Sequence, residues 1–322
     1  MRAVPAGTVE PMKARPIRRW LVPGLAVVVA GLLALPWLLD RERLPLDDAA
    51  RRQAPGQMLV LPRGHVHVEL GGPVDGPPVV LVHGFSVPSY VWDPTFAALA
   101  AAGHRVLRYD LYGRGWSDRP ALVYDRALFV SQLREVLDGV GLHGPVDLVG
   151  LSMGGAIAAA FAAEHPQRVR RIAFIAPFNR ARDIAPLDRP LLGEYLNRVY
   201  LLPRLAALQA SDFAEPERFA GWTERFRAQM RHPGFGAAIL STLRHFVSVD
   251  PLPDYRRVGA LGRPALLLWG ERDGVLPFAE HRRVLDALGG AAFVAVPDAG
   301  HLPQLEQPEA VQAALLDFLG RR

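Results

Sequence analysis

Three residues that could together carry out acyl transfer occur along the chain in the order Ser152, Asp273, His301. Serine at its free pKa is a weak nucleophile, so it needs a base such as histidine, and the histidine needs an acid that orients it. A catalytic serine of this kind stands at a sharp turn between a strand and a helix. The three residue types therefore indicate nucleophilic catalysis if the fold brings them together at such a turn.

The sequence around Ser152 has the composition of such a turn. Val146–Val149 is a short apolar run that predicts a buried strand, and Ala156–Ala163 predicts a helix. Between them, Gly150 and Gly154 flank the serine at the spacing Gly-x-Ser-x-Gly, where crowding requires small residues. Taken alone, the pentapeptide would equally suit a serine that caps a helix. The rest of the chain must decide between these interpretations.

The candidate acid and base both follow predicted strands. Asp273 comes shortly after the apolar run Ala265–Trp269, and His301 comes after Ala292–Val296, in a loop before the last predicted helix. The carboxyl ends of parallel strands lie at one edge of a sheet, where such folds bind ligands. Both side chains are therefore expected on the side of the sheet that Ser152 faces.

The assignment of the acid leaves alternatives open. Asp273 precedes Gly274 and could serve only to form a turn, in which case Glu271 or Asp298 would be the acid. The alternative that His301 is a loop histidine without a catalytic role is disfavoured. The position of Asp273 directly after a strand favours it as the acid.

Other charged residues have structural interpretations. His65 and His67 fall on one face of a predicted strand, which would suit a metal-binding pair. No third ligand is evident, so a solvated strand face is favoured and no metal is expected. Three charges of one glycine-containing loop are expected to be structural, namely Arg114, Asp118 and Arg119.

Predicted strands and helices alternate along most of the chain, which is typical of a mostly parallel sheet covered by helices on both faces. The predicted strands are 65–70, 79–82, 105–109, 146–149, 172–175, 265–269 and 292–296, with helices predicted at 96–102, 126–140 and 308–319. Between Phe178 and Val258 no strand pattern occurs, although 191–205 and 216–230 have helical patterns. This segment predicts a helical cap over the carboxyl ends of the strands.

The N-terminal run Trp20–Leu39 is uncharged and almost wholly apolar. As a helix it would span about 30 Å, the hydrocarbon thickness of a bilayer. A cleaved signal peptide would have a shorter apolar core and a small-x-small cleavage site, and no good site follows the run. A membrane anchor is therefore favoured over a cleaved signal or a buried helix. Basic residues before the run predict a cytoplasmic tail and a folded part in the periplasm or outside the cell.

The chain is accordingly divided into six segments. They are a basic cytoplasmic tail (1–19), a transmembrane anchor (20–39), a linker (40–57), a first part of the core (58–177), the helical cap (178–258) and a second part of the core (259–322).

Composition excludes several classes of function. The net charge is +5, and four of these charges come from the first 19 residues: Arg2, Lys13, Arg15, Arg18 and Arg19 against Glu10. The remainder is nearly neutral, so nucleic acid is not an expected partner. The chain contains no cysteine, which excludes disulfides, thiolate metal sites and a cysteine nucleophile.

Five motifs occur in order along residues 58–322: His83-Gly84-Phe85, Asp110-Leu111-Tyr112-Gly113-Arg114-Gly115-Trp116-Ser117-Asp118-Arg119-Pro120, Gly150-Leu151-Ser152-Met153-Gly154-Gly155, Trp269-Gly270-Glu271-Arg272-Asp273 and Gly300-His301. Together they give this part of the chain a resemblance to capped serine hydrolases of the α/β-hydrolase fold, in their esterase and lipase-like branch. The resemblance does not extend to residues 1–57.

The resemblance implies a catalytic triad of Ser152, Asp273 and His301. It also implies an oxyanion hole formed by the backbone N–H groups of Phe85 and Met153, and no cofactor is required. His83 is expected to shape the oxyanion loop without acting as a base. The expected reaction begins with attack of the serine on a carbonyl carbon and proceeds through an acyl-enzyme.

The expected function is that of a membrane-anchored serine hydrolase of a carboxylic ester, with lipid-like esters among the candidates because an anchored site has access to the bilayer. The same resemblance allows hydrolysis of carbon–carbon bonds in ring-fission products, and of amides or lactones. A serine rather than an aspartate nucleophile argues against dehalogenases and epoxide hydrolases. A catalytically silent binding module is disfavoured because all three triad residues are present.

Overall fold

Residue 3 and residues 18–320 are described by a computed structural model of the chain. The chain divides into two units after Asp40. In the first unit, helix α1 spans Arg18–Leu39, and its stretch Val22–Leu39 has a mean hydropathy of 2.2 with none of it buried. This helix is long and apolar enough to cross a bilayer by length and composition. Most of the predicted basic tail (1–19) lies outside the described residues.

The second unit is built on one eight-stranded sheet with the strand order β1-β2-β4-β3-β5-β6-β7-β8. The strands are β1 Gln57–Leu61, β2 Gly64–Gly71, β3 Pro78–Val82, β4 Arg105–Tyr109, β5 Val146–Leu151, β6 Val169–Ile175, β7 Ala265–Gly270 and β8 Ala292–Val296. β1 pairs with β2 and β2 with β4 in antiparallel fashion, and the other five pairings are parallel. The predicted mostly parallel sheet is therefore confirmed.

Helices cover both faces of this sheet. Every residue of the central strands β5 and β7 is buried, as expected for strands that face two apolar layers. On one face pack helices α4 (Arg126–Gly139), α5 (Met153–Glu164), α10 (Leu252–Ala260) and α11 (His281–Leu288). On the other face pack α3 (Asp93–Ala101) and α13 (Pro308–Gly320), preceded by the short α12 (Pro303–Glu306). The α/β architecture follows from these two layers.

The long connection between β6 and β7 is helical. We call residues 192–247 the inserted helices; they comprise α6 (Leu192–Leu196), a π turn (Asn197–Leu201), α7 (Leu202–Leu208), α8 (Trp222–Gln229), α9 (Phe235–Thr242) and a second π turn (Leu243–Val247). No strand occurs between Phe178 and Val258, all of which the structure describes. Apolar side chains such as Leu205, Phe226 and Phe235 join the core beneath them.

The segment predicted as a linker, 40–57, is partly ordered against the inserted helices. It contains the short helix α2 (Asp48–Arg51), and β1 begins at its last residue. The carboxylate of Glu42 accepts hydrogen bonds from the backbone N–H groups of Gly234 and Gly236 at 2.7 and 2.6 Å. This stretch is therefore held in place by specific contacts.

Candidate active site

Ser152 lies at the turn between β5 and α5 in a strained backbone conformation, with φ 52° and ψ −119°. A Cβ added at Gly150 would lie 2.5 Å from the carbonyl oxygen of Gly154, and one added at Gly154 would lie 2.2 Å from that of Val82. Neither position tolerates a side chain, which explains the glycines on both sides of the serine. The interpretation as a nucleophile turn is favoured over a helix cap, because the Ser152 side chain makes no capping hydrogen bond to α5.

His301 and Asp273 form a buried pair. Nδ1 of His301 lies 2.8 Å from Oδ2 of Asp273, and both side chains are nearly inaccessible to solvent. The second oxygen of Asp273 accepts hydrogen bonds from the N–H groups of Val275 and Leu276, both at 2.8 Å. These bonds fix the carboxylate, so that it holds the imidazole in one orientation. Of the three candidate acids, Asp273 is the one that bonds His301.

The charge of Asp273 controls the protonation of this histidine. Burial by itself lowers the pKa of His301, but the adjacent carboxylate outweighs burial and raises the pKa above its ordinary value. A raised pKa makes His301 a stronger base toward a proton that arrives during a reaction.

A ladder of backbone hydrogen bonds places Ser152, Asp273 and His301 at the same edge of the sheet. The Ser152 N–H donates to the carbonyl of Ile175 at 2.9 Å, and the N–H of Ala176 donates to that of Leu268 at 2.9 Å. These bonds join the carboxyl ends of β5, β6 and β7, while β8 pairs with β7 up to Val296. Within the described residues, neither Nε2 of His301 nor the hydroxyl of Ser152 makes a hydrogen bond. Both atoms are thus available for contact with a bound molecule.

The loop after β3 packs directly against Ser152. A Cβ added at Gly84 would lie 3.3 Å from Cβ of Ser152. In the described part of the chain, the backbone N–H groups of Phe85 and Met153 have no acceptor, which leaves both predicted oxyanion donors free. His83 uses both ring nitrogens, because Nδ1 lies 2.9 Å from the Gly84 carbonyl and Nε2 accepts from the N–H of Leu111 at 2.9 Å.

These two bonds define the state of His83. Since Nε2 accepts from a backbone N–H, the ring proton must be on Nδ1, from which it is donated to Gly84. Burial lowers the pKa of His83 to about 4, so the ring is neutral at physiological pH. His83 therefore braces the loop and has no free nitrogen with which to act as a base.

A buried cation lies behind the same loop. Arg114 is fully buried, and its Nε donates to the carbonyl of Phe85 at 2.8 Å. Its other nitrogens donate to the carbonyl of Tyr112 and to the hydroxyl of Thr242 in the inserted helices. Among the described residues no carboxylate pairs with it, and burial lowers its pKa to about 9. Arg114 thus holds the carbonyl of Phe85. It also leaves an uncompensated positive charge beside the predicted oxyanion hole.

Two further carboxyl groups surround His301, and neither was anticipated from the sequence. The carbonyl of Asp212, in the turn after α7, accepts the His301 N–H at 2.8 Å. Burial raises the pKa of the Asp212 carboxyl to about 6, with the charges of Asp273 and Glu306 acting in the same direction. The buried carboxylate of Glu306 accepts from the N–H of Gly300 at 2.6 Å and from that of Ala214 at 2.7 Å.

Further hydrogen bonds join the inserted helices to the loops of the site. The amide of Gln229 donates to the carbonyl of Ser86 at 2.9 Å and accepts from the N–H of Gly115 at 2.9 Å. The Thr242–Arg114, Ala214–Glu306 and Asp212–His301 contacts are further polar connections between the inserted helices and the loops that carry the site.

The interpretation of His67 as part of a solvated strand face was wrong. His67 is buried, its Nδ1 lies 2.9 Å from Oδ2 of Asp110, and its Nε2 contacts the carbonyl of Pro55. The Asp110 carboxylate also accepts from the N–H groups of Ser89 and Trp116. Between residues 18 and 320 no cluster of three metal-binding side chains occurs. The partner of His67 lies in a loop far along the sequence, and strand periodicity carries no signal for it.

Comparison with known proteins identifies the family. The model of the alpha/beta hydrolase family matches residues 79–314. The chain therefore belongs to the α/β-hydrolase family and is a hydrolase.

Relatives of different specificity resemble the chain to similar degrees. A 2-hydroxy-6-oxononadienedioate/2-hydroxy-6-oxononatrienedioate hydrolase of Paraburkholderia phymatum is 30% identical over 260 residues, which cover 76% of this chain and 87% of the relative. The pimeloyl-(acyl-carrier protein) methyl ester esterase of Nitrosomonas europaea is 29% identical over 256 residues, covering 76% and 95%. Among solved structures, a thermophilic esterase of Thermogutta terrifontis has a TM-score of 0.70 and 26% identity, covering 83% of this chain and 98% of that one.

Proposed function

We propose that the protein hydrolyses a carboxylic ester through an acyl-enzyme formed on Ser152. The observation that carries this proposal is the His301–Asp273 pair at 2.8 Å, whose distal nitrogen is unbonded at the edge of the sheet where the strained Ser152 also lies. The two relatives named as esterases support an ester as the substrate class.

The groups of the site divide the reaction between them. Nε2 of His301 takes the hydroxyl proton as Ser152 attacks the ester carbonyl carbon, and the N–H groups of Phe85 and Met153 bind the resulting oxyanion. Asp273 stabilises the imidazolium. The tetrahedral intermediate collapses as His301 returns its proton to the departing alkoxide, which leaves as an alcohol. Water then repeats the attack on the acyl-enzyme with His301 as base, which releases the carboxylic acid and restores the serine.

A second candidate is hydrolysis of a carbon–carbon bond next to a ketone. The relative from P. phymatum favours it, because its name describes a hydroxy-oxo dicarboxylate rather than an ester. The same serine, histidine and oxyanion donors would serve this reaction.

We propose further that α1 anchors the chain in the cell membrane as a single span, with the folded part in the periplasm or outside the cell. The apolar stretch Val22–Leu39 and the basic residues before it support this orientation. A lipid-like ester would then have direct access to the site. The segments 58–177 and 259–322 would form the catalytic core, and 178–258 its cap.

The test is hydrolysis of p-nitrophenyl esters of graded acyl length by the full chain in detergent micelles. We expect turnover that is lost in Ser152→Ala and kept in Ser131→Ala, whose hydroxyl only bonds the carbonyl of Leu128 in α4. A fluorophosphonate probe should label the wild type and not Ser152→Ala. Labelling without ester turnover, together with cleavage of a hydroxy-oxo dienedioate, would favour the carbon–carbon reaction. Turnover retained by Ser152→Ala would refute the serine mechanism.

A further inference from the structure

A leucine in a strained turn projects into solvent just before the inserted helices. Leu191 has φ 64° and ψ −50°, and the N–H of Leu192 donates to the carbonyl of Pro190 at 2.8 Å. This is a γ-turn of the positive-φ form, which is rare and strained. The side chain of Leu191 is 85% exposed. Its conformation therefore costs free energy, and its side chain recovers none through burial.

Neighbouring contacts hold the turn in this conformation. Nε of Arg244 donates to the carbonyl of Leu187 at 2.8 Å, and its terminal nitrogens donate to the carbonyl of Arg189 and to the carboxylate of Glu194. The N–H of Gly193 also donates to the carbonyl of Arg189 at 2.7 Å. Strain that is maintained by surrounding contacts is concentrated at functional positions. The surrounding contacts therefore keep Leu191 exposed in a fixed conformation.

Apolar exposure continues along the helical segment that follows. Leu192 is 47% exposed, Tyr200 59% and Leu208 51%, whereas Leu205 on the other side is buried in the core. The π turn Asn197–Leu201 interrupts the helix between the first and last of these residues. Four large apolar side chains are thus exposed between residues 191 and 208, a concentration of apolar exposure of the kind found on interaction surfaces. We call Leu191, Leu192, Tyr200 and Leu208 the Leu191 face.

Positive charge accompanies this face. Arg198 and Arg204 are exposed and, within the described residues, have no carboxylate at ion-pair distance. The guanidinium of Arg204 lies 4.2 Å from the ring centre of Tyr200. The acidic neighbour Glu194 is neutralised by Arg244 at 2.5 Å. Exposed leucines beside an aromatic ring and unpaired arginines are typical of segments that lie in the interface of an anionic bilayer.

We propose that the Leu191 face binds the surface of an anionic lipid bilayer, with Leu191 and Leu192 at the acyl-chain boundary and Arg198 and Arg204 at the phosphates. A leucine at the tip of a turn is convex, and fluid acyl chains accept it without a complementary pocket. This contact is separate from the span proposed for α1 and does not depend on the ester chemistry. It places the inserted helices where apolar substrates partition.

The absence of cysteine permits a direct test. Leu191→Cys in the full chain offers a single labelling site for an environment-sensitive fluorophore, and Val74→Cys, at a position that is 78% exposed in the turn between β2 and β3, is the matched control. With the chain reconstituted in vesicles of phosphatidylcholine and phosphatidylglycerol, we expect a blue-shifted emission at position 191 that acyl-chain nitroxides quench. Position 74 should be unaffected. An unshifted probe at 191, or equal shifts at both positions, would overturn the proposal.

A second variant tests the part played by charge. Arg198→Glu combined with Arg204→Glu leaves the turn and the apolar side chains in place. We expect the quenching at position 191 to fall severalfold in phosphatidylglycerol vesicles, to the level seen with phosphatidylcholine alone. Quenching that depends on phosphatidylglycerol as strongly as before would contradict anionic lipid as the partner.

Discussion

The structure contains two buried histidine–aspartate pairs of nearly equal geometry. In one, Nδ1 of His301 lies 2.8 Å from Asp273; in the other, Nδ1 of His67 lies 2.9 Å from Asp110. The pairs differ at the opposite ring nitrogen. Nε2 of His67 is bonded to the carbonyl of Pro55, whereas Nε2 of His301 makes no bond to the described residues. A histidine–aspartate pair can act as a base only where the second nitrogen is free to face a substrate or nucleophile.

The two aspartates also differ in what else they bond. Burial alone would raise the pKa of Asp110, but the charge and hydrogen bond of His67, together with a hydrogen bond from Ser89, hold that pKa well below the usual range. Asp110 thereby ties β2, the loop before α3 and the loop after β4 together. Asp273 uses its second oxygen only for its own turn. Loss of the His67–Asp110 pair is therefore expected to lower stability, whereas loss of the His301–Asp273 pair is expected to lower the rate of reaction.

The largest expected effect is that of Asp273→Asn. An asparagine keeps the oxygen that accepts from Val275 and Leu276, but its amide would force the proton of His301 onto Nε2. We expect kcat to fall by about 10⁴ because the base is then in the wrong tautomer. The free energy of unfolding should fall by less than in Asp110→Asn, because the second oxygen of Asp273 bonds only its own turn. Steady-state kinetics measures kcat, and urea titration measures the free energy of unfolding. A decrease in kcat of less than tenfold would refute the proposed role of Asp273.

The matched change Asp110→Asn should have the opposite signature. It breaks a buried charged pair, so we expect a loss of about 3 kcal/mol in the free energy of unfolding, with kcat per folded molecule within about threefold of the wild type. Burial lowers the pKa of His67, but Asp110 outweighs it and raises the pKa overall. Stability from a raised histidine pKa is present below the unfolded value of about 6.5 and is lost as pH rises through the folded value.

Urea titrations at several pH values check this difference. The advantage of the wild type over Asp110→Asn should be largest at mildly acidic pH, where Asp110 is ionised and His67 is charged, and should shrink toward alkaline pH. An advantage that grows with pH would contradict the assignment of His67 as a buried cation.

Arg114 extends the comparison to a buried charge that has no acidic partner. In Arg114→Met the carbonyl of Phe85 loses its hydrogen bond, and the loop that carries the Phe85 N–H loses a neighbouring positive charge. We therefore expect kcat to fall by about 20-fold with KM nearly unchanged. Arg114→Lys should recover part of the loss because it restores the charge. Arg119→Met removes a half-buried arginine of the same loop, one that bonds the carbonyls of Ser117 and Gly115, and serves as the control. Equal losses in both methionine variants would indicate a structural role only.

The smallest expected effect concerns the carboxylates around His301. The charges of Asp273, Asp212 and Glu306 all raise its pKa, so the activity should fall as pH decreases through a raised value. Asp212→Asn removes one of these charges, and we expect the acidic limb of kcat/KM to move to lower pH by about half a unit. The pH profile of Asp286→Asn, which changes an exposed carboxylate on α11, should match the wild type. A shift of the acidic limb to higher pH in Asp212→Asn would refute the proposal that the Asp212 charge raises the pKa of His301.

Much of the fold could be predicted because each core strand is a short apolar run. β1 was missed, since Val60 is 74% exposed and this edge strand pairs on one side only, with β2. α11 was missed too, although His281–Leu288 has an amphipathic pattern that would have revealed it. The local sequence pattern thus predicts strands made of apolar residues better than it predicts strands that form by pairing with a neighbouring strand.

The candidate site divides in the same way. Ser152, Asp273 and His301 each lie in a loop whose position follows from the strand before it, so their meeting at one edge could be predicted. Asp212 and Arg114 act through contacts between the inserted helices and distant loops. No spacing in the sequence encodes such contacts, because they depend on how a helical insertion packs.

The polar connections between the inserted helices and the loops of the site all follow residue 208, where the Leu191 face ends. They are made by Gln209, Asp212, Ala214, Gln229 and Thr242. Crossover points placed ahead of residue 209 would let chimaeras exchange the outer face while every hydrogen bond to the loops of the site is inherited intact. If the two proposals hold, mutation of the outer face would change which molecules reach Ser152 independently of how quickly they react there.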